Sequence, residues 1–193
     1  MANYTAPSIY DIPLHNSEAG YTKNAVVMTR TDIGSSLIPK SLKYYYAIKT
    51  VPATASPGIS IANLAYWGGY TIVNNASVPL FLWTPSYNVA TTHAPKVNSV
   101  TFGNGYEQRI PDGIYTGLIK MEMTFEMRSD AEAKAILHFL RARKGASSFV
   151  IKNLPEIYGD SGYKKRFICP SFNSTFAFYN NHSIKASFSE TNN

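Results

Sequence analysis

The sequence predicts a mainly β protein: a β-sandwich or half-open barrel with one packed helix, preceded by a small all-β module. Three observations carry that expectation. Within the strand expected at Leu118 to Arg128, residues 119–128 alternate apolar and polar side chains without a break, which is the period of a half-buried strand. Residues 129–145 carry a complete set of helix start and stop signals. Pro95 to Gly113 reads as two strands joined at Gly103-Asn104-Gly105, because Asn-Gly accepts the positive φ of a tight turn. The composition agrees: 45% apolar and 16% charged residues are globular proportions, and 14 tyrosines with 10 phenylalanines favour strands and contact surfaces.

The first segment, Met1 to Val78, is rich in Thr, Ser, Ala, Asn and Pro and shows no helical period. Gly20 to Thr29, Ser41 to Thr50 and Tyr70 to Val73 are its strand candidates. Gly34-Ser35-Ser36 and Pro52 to Ser60 have loop composition. Within Tyr44-Tyr45-Tyr46 the central ring points away from the other two, since strand side chains alternate. Either one face is a stacking platform or both faces pack, one on a small core and one on the adjoining segment. Tyr66-Trp67 has the same two readings.

The second segment, 79–193, opens with the apolar run Leu80-Phe81-Leu82-Trp83. In the long strand, Ile119, Met121, Met123, Phe125 and Met127 form the apolar face, and Lys120, Glu122, Thr124, Glu126 and Arg128 the wet one. The helix spans about 129–144. Ser129 and Glu132 are spaced as a capping box, in which the hydroxyl and the carboxylate each satisfy a free backbone N–H. Ala133, Ile136, Leu137 and Leu140 make its apolar stripe, which leaves His138 beside the stripe and half exposed. Arg141, Arg143 and Lys144 complement the negative helix end, and Gly145 suits a left-handed cap. Ser148–Lys152, Tyr163–Ser171 and Ser183–Ser189 follow as strands.

Charge and reactive residues exclude several function classes. The net charge of +6 is spread along the chain, apart from Lys164-Lys165-Arg166 and the helix end. That distribution lacks the convergent phosphate contacts that nucleic-acid affinity needs. Cys169 is the only cysteine, so neither an intrachain disulfide nor a cysteine zinc site forms, and Phe167-Ile168-Cys169 reads as core. His15, His93, His138 and His182 lack metal-ligand spacing. Asp112, Asp130 and Asp160 adjoin turns, and Glu122 with Glu126 fit a wet strand face better than an acid/base pair. No cofactor is expected. The start MANYTAPSIYD predicts no signal peptide, and no window has the apolar length of a membrane helix.

From Phe81 to the C-terminus the chain resembles the phage minor tail protein family typified by lambda minor tail protein M. The resemblance rests on Phe81-Leu82-Trp83, on Pro95-Lys96-Val97 leading into Val100 to Arg109, and on the amphipathic strand. It continues through Phe139-Leu140 before a basic-Gly step and Ser148-Phe149; the Phe-Gly-Asn-Gly-Tyr-Glu-Gln-Arg run is its most specific part. The resemblance implies a tail-tube-type domain that forms a homo-oligomeric ring, a hexamer, at the distal tail tip of a siphophage. That ring joins the tail tube protein to the hub and its neighbours, and DNA passes through its channel without specific binding. It implies assembly in the host cytoplasm, residence in the virion, and a structural rather than enzymatic role. Phe102, Gly103, Asn104, Gly105, Tyr106, Gln108 and Arg109 are the assembly candidates it suggests. For Arg109, a solvated ion pair with Glu107 is the competing reading.

The first segment resembles small carbohydrate-binding modules, through Tyr21, Val26-Val27, Lys43 to Lys49, Val51-Pro52 and Tyr66-Trp67. That likeness implies a decorating module in which Tyr44, Tyr46, Tyr66 and Trp67 contact a host surface glycan or a partner protein. A host-polysaccharide-binding tail protein is therefore the alternative function. A glycan hydrolase has no acid/base pair or triad to support it.

Overall fold

The computed structural model describes residues 12–31, 41–54, 58–113, 117–152, 154 and 165–191. The loop expected at Gly34–Ser36, part of that at Pro52–Ser60, Asp160 and the start of the strand expected at Tyr163 lie outside the described residues.

The protein is mainly β, with one helix and several sheets, as expected. Its strands are β1 (Val26–Thr31), β2 (Ser41–Ala47), β3 (Trp67–Gly68), β4 (Tyr70–Val73), β5 (Ala76–Phe81), β6 (Tyr87–His93), β7 (Val97–Thr101), β8 (Glu107–Pro111), β9 (Ile119–Arg128), β10 (Phe149–Ile151), β11 (Arg166–Phe178) and β12 (Asn181–Thr191). The helix α1 is Asp130–Arg143. Among the described residues these form a three-stranded sheet β1-β2-β3, a seven-stranded sheet β4-β5-β10-β11-β12-β9-β6 and a separate two-stranded sheet β7-β8.

The seven-stranded sheet is antiparallel except where β10 runs parallel to β5. Its inner face carries the core: Phe81, Met121, Met123, Phe125, Phe149, Phe167, Ile184 and Phe188, closed by Ile136, Phe139 and Leu140 of α1. The rings meet mostly edge to face, as Phe81 does with Phe125, Phe139 and Phe188 at 5.4–5.6 Å, the geometry that ring quadrupoles favour. The β4–β5 turn takes Asn74 and Asn75, both at positive φ, between the paired Val73 and Ala76. Two asparagines in a two-residue loop are a hairpin signal of the Asn-Gly kind.

The three-stranded sheet is not independent of this core. Val26, Met28, Tyr44 and Tyr46 from β1 and β2 pack into the large cluster. The other face of the same strands, with Val27, Tyr45 and Ala47, joins Val51 and Trp67 in a smaller cluster. Tyr45 therefore points opposite to Tyr44 and Tyr46, and both faces pack. Backbone approach is close where the sheets adjoin: a Cβ on Gly69 would lie 2.7 Å from the Tyr44 carbonyl oxygen.

Four local expectations are corrected. Met127 is 81% exposed rather than on the apolar face. The registers Ile184↔Phe125 and His182↔Arg128 place Glu126 and Met127 opposite the single residue Ser183, a β-bulge with Met127 at φ 55°. The capping box is half made: Ser129 Oγ accepts from Glu132 N at 3.4 Å, while the Glu132 carboxylate pairs with Arg128 at 2.8 Å instead of reaching back. The left-handed cap falls on Lys144 (φ 50°), and Gly145 follows with φ 69°. His138 is buried rather than half exposed, because Tyr44 and Tyr46 of β2 lie against it.

The strand β6 has no counterpart among the sequence expectations. Its segment, Tyr87 to His93, sits at the sheet edge on β9.

Candidate assembly surface

The hairpin β7–β8 is inserted where β6 ends and β9 has yet to begin. His93 pairs with Ile119, so the hairpin leaves the sheet at the Ile119 end of β9. Every residue of β7 and β8 is exposed. Register pairs Val97↔Pro111 through Thr101↔Glu107, and Phe102 N donates to Tyr106 O at 2.8 Å, so Phe102 and Tyr106 close the ladder.

The connection is a three-residue loop, Gly103-Asn104-Gly105. Gly105 N donates to Phe102 O at 2.9 Å, and of the three only Gly105 (φ 80°) is at positive φ. That is a turn followed by a left-handed residue, and the positive φ expected of the Asn-Gly pair falls on Gly105 alone. Asn104 does other work: its Oδ1 accepts from Tyr106 N at 3.2 Å.

Alternation gives the hairpin two different faces. One carries Asn98, Val100, Phe102, Tyr106, Gln108 and Ile110, with the Phe102 and Tyr106 rings 5.9 Å apart. The other carries Ser99, Thr101, Glu107 and Arg109, and Arg109 donates to Glu107 at 2.9 Å. Asn98 Nδ2 donates to Asp112 Oδ1 at 3.1 Å near the hairpin base. The candidates Phe102, Tyr106, Gln108 and Arg109 thus stand on one exposed element, with Gly103, Asn104 and Gly105 forming its tip. Val100 and Ile110, not among them, complete its apolar face.

A second exposed apolar patch lies at the other end of β9. The β11–β12 hairpin turns beside Asn180 (φ 55°), and Phe176, Phe178 and Tyr179 are each more than half exposed there, near Met127 in sequence register. The turn is pinned to the start of α1: Asn180 Oδ1 accepts from Asp130 N at 2.9 Å, and His182 Nε2 lies 2.7 Å from Asp130 Oδ1. The Phe176 ring lies tilted beside His182, with the centroids 5.2 Å apart. The sequence expectations did not reach these aromatics: the expected strand ended at Ser171, whereas β11 runs on to Phe178 and Tyr179 follows it. The ten residues of β9 separate the two patches by roughly 30 Å.

The aromatic candidates of the first segment are placed differently. Tyr46 and Trp67 are 2% and 1% exposed, so neither presents a ring face to solvent. Tyr46 Oη lies 3.2 Å from His138 Nδ1, and its ring packs on Trp83 at 5.1 Å. Burial pushes the Tyr46 hydroxyl pKa far up and brings His138 down to about 4, the latter helped by the Arg143 and Lys134 charges. Trp67 packs edge-on against Tyr21 and His15, both at 5.2 Å. Tyr44 and Tyr66 are half-buried, and Lys49 Nζ lies 4.2 Å over the Tyr66 ring.

The Cys169 thiol is buried and its pKa is pushed up to about 11, so it stays protonated and unreactive. Among the described residues no group of three His, Cys, Asp or Glu side chains could hold a metal, and no helix is long and apolar enough to cross a membrane.

A mainly β domain with a free hairpin and exposed apolar patches carries surfaces suited to contact with other proteins. Residues 79–192 match the phage minor tail protein family, and the chain belongs to that family. It is therefore a structural component of a phage tail, and the virion is where it resides. No curated protein matches the chain.

Proposed function

We propose that this protein forms a hexameric ring at the distal end of a siphophage tail, joining the tail tube to the hub around the DNA channel. The observation that carries this reading is the β7–β8 hairpin, a two-stranded sheet exposed on both faces. An isolated hairpin is marginally stable in water, so an apolar face built from Val100, Phe102, Tyr106 and Ile110 calls for a cover supplied by another subunit.

The second patch supports a ring in particular. Self-complementary dimers use one patch twice, whereas two different patches at opposite ends of a subunit suit head-to-tail contacts, which close into a ring when the rotation allows. The hairpin of one copy would seat near Phe176, Phe178 and Tyr179 of the next. Ring closure also removes the free edges of β6 and of the hairpin. In this arrangement the first segment, residues 1–78, decorates the outer side of the ring, where half-buried Tyr44 and Tyr66 keep part of their surface for a neighbouring tail protein or a host glycan.

Solution mass and electron microscopy of the purified chain, with and without its tail-tube partner, test the ring. A closed hexamer, lost in Val100→Asp and in Phe178→Asp while the monomer stays folded, is the expected result. A strictly monomeric chain that also fails to localise to the tail tip in labelled virions would refute it.

A further inference from the structure

A cleft of about 340 Å³ lies where the three-stranded sheet meets the large sheet and the start of α1. Its walls come from five separated stretches: Lys23 and Asn24 before β1, Tyr46 to Ile48 at the end of β2, Leu82 to Thr84 after β5, Arg128 with Glu132, and Lys152 after β10. The volume is at the lower end of the range for small-molecule sites.

The charge in it is lopsided. Of its three cations only Arg128 has a carboxylate partner, Glu132 at 2.8 Å. Among the described residues Lys23 and Lys152 have none. Arg128 is locked in place by further bonds to Thr84 O at 2.8 Å and Ser86 Oγ at 3.1 Å, yet its Nε is buried and has no acceptor in the protein. A buried donor left unmatched is costly, and Arg128 Nε is one of several such atoms among the described residues. The β9 bulge sets this up: the extra residue flips the alternation and brings Arg128 inward.

The rest of the lining is amphipathic. Leu82 and Trp83 supply an apolar wall, and Asn24, fixed at φ 67° by a bond from its N–H to Ala47 O at 2.8 Å, supplies an amide. An apolar wall, one amide and unpaired lysines are complementary to a ring that has a C–H face, hydroxyls and one negative group. A bare inorganic anion would leave the apolar wall uncovered, and an aspartate or glutamate side chain would fill only part of the volume.

We propose that this cleft binds a monosaccharide-sized sugar acid, a hexuronic acid residue, with its carboxylate between Lys23 and Lys152. The site is distinct from the apolar patches used for assembly and does not depend on the ring.

Nuclear magnetic resonance titration of the full chain tests it, with glucuronic acid, glucose, inorganic phosphate and a short acidic peptide as the probes. Saturable shifts at cleft amides with glucuronic acid, and much weaker ones with the other three, are expected. Lys23→Ala/Lys152→Ala, both at exposed positions, removes two charge-assisted bonds and should weaken binding by at least about tenfold. Lys185→Ala, an exposed lysine outside the cleft, should leave binding unchanged. Glucose binding as tightly as glucuronic acid, phosphate or the peptide binding more tightly, or no saturable shift at all would each overturn the assignment.

Discussion

Two antiparallel strand pairs in this protein carry the same kind of alternation and end in opposite surroundings. On β9 and β12 the apolar face (Met121, Met123, Phe125, Ile184, Phe188) is sealed by α1 and the β5 and β10 aromatics. On β7 and β8 the apolar face (Val100, Phe102, Tyr106, Ile110) stays exposed. The difference lies in chain connectivity rather than in residue type. The strand β9 runs directly into a helix that folds back over the sheet against β11 and β12, whereas β7 and β8 are joined only to each other and then return to the sheet. An alternating pattern says that a face needs cover; whether the cover is intramolecular depends on what the chain places next.

The largest expected contrast comes from putting the same charge on each face. Met123→Asp buries a carboxylate with no partner and should cost on the order of 3–5 kcal/mol, enough to leave the chain insoluble or unfolded. Glu122→Lys, one residue away on the wet face, should fold normally. Val100→Asp should melt within about 0.5 kcal/mol of the parent while losing oligomers. Thermal melts paired with solution mass check all three. Equal melting of Met123→Asp and Val100→Asp would erase the contrast.

A smaller effect concerns the joint between the first segment and the large core. Folded His138 titrates at about 4, below its ordinary 6.5, because it is buried against Tyr44 and Tyr46 and faces the Arg143 and Lys134 charges. The unfolded chain therefore binds the proton first, so this stability is complete above about pH 6.5 and is lost as the pH falls towards 4. The loss should reach about 3 kcal/mol at most. His138→Phe should flatten that acid limb of the melting curve, and an unchanged limb would show that other groups set it. Tyr46→Phe, which leaves His138 Nδ1 without its partner, should cost about 1 kcal/mol near neutral pH.

Next in size is the hairpin tip. A Cβ on Gly105 would meet no atom within 4 Å, so only its φ of 80° opposes substitution. Gly105→Val should then strain the turn by about 1–3 kcal/mol, spent locally because the hairpin does not touch the core. Assembly yield should fall while the main thermal transition holds, a split that calorimetry and tail counts in the virion would reveal. Tails completed at normal yield would remove the hairpin from the contact.

Much of this fold was legible in the sequence, and the losses have local causes. The period of β9, the helix with its Ser129 cap and the opposed faces of Tyr44, Tyr45 and Tyr46 all follow from short-range rules that the packing did not override. Met127 escaped because a bulge is a property of two strands, and its register against Ser183 is invisible in either alone. His138 escaped because its cover comes from a strand more than 90 residues away. The strand β6 is polar enough to read as loop, since an edge position buries little of it. For the candidate surface, the hairpin carried a turn signal, whereas Phe176, Phe178 and Tyr179 carried none: an exposed aromatic and a core aromatic look alike until the strands are paired.

The smallest stability effect decides the role of Arg109. Its guanidinium pairs with Glu107 at 2.9 Å, two residues away on the same strand face, with side chains 71% and 36% exposed. Exposed pairs of this kind are screened and contribute little, so Arg109→Ala should shift the melting free energy by less than about 0.5 kcal/mol. Two readings of the residue then differ only in assembly. If the pair merely solvates the polar face of the hairpin, Arg109→Ala and Glu107→Ala should both assemble like the parent at any salt concentration. If Arg109 reaches a neighbouring subunit, its loss should reduce oligomer yield while Glu107→Ala, which frees the guanidinium, should not, and the parent assembly should weaken as salt is raised. We expect the second pattern, because an arginine on an exposed strand next to an uncovered apolar face matches the composition of protein interfaces. Matched yields for both variants would confine assembly to the apolar face alone.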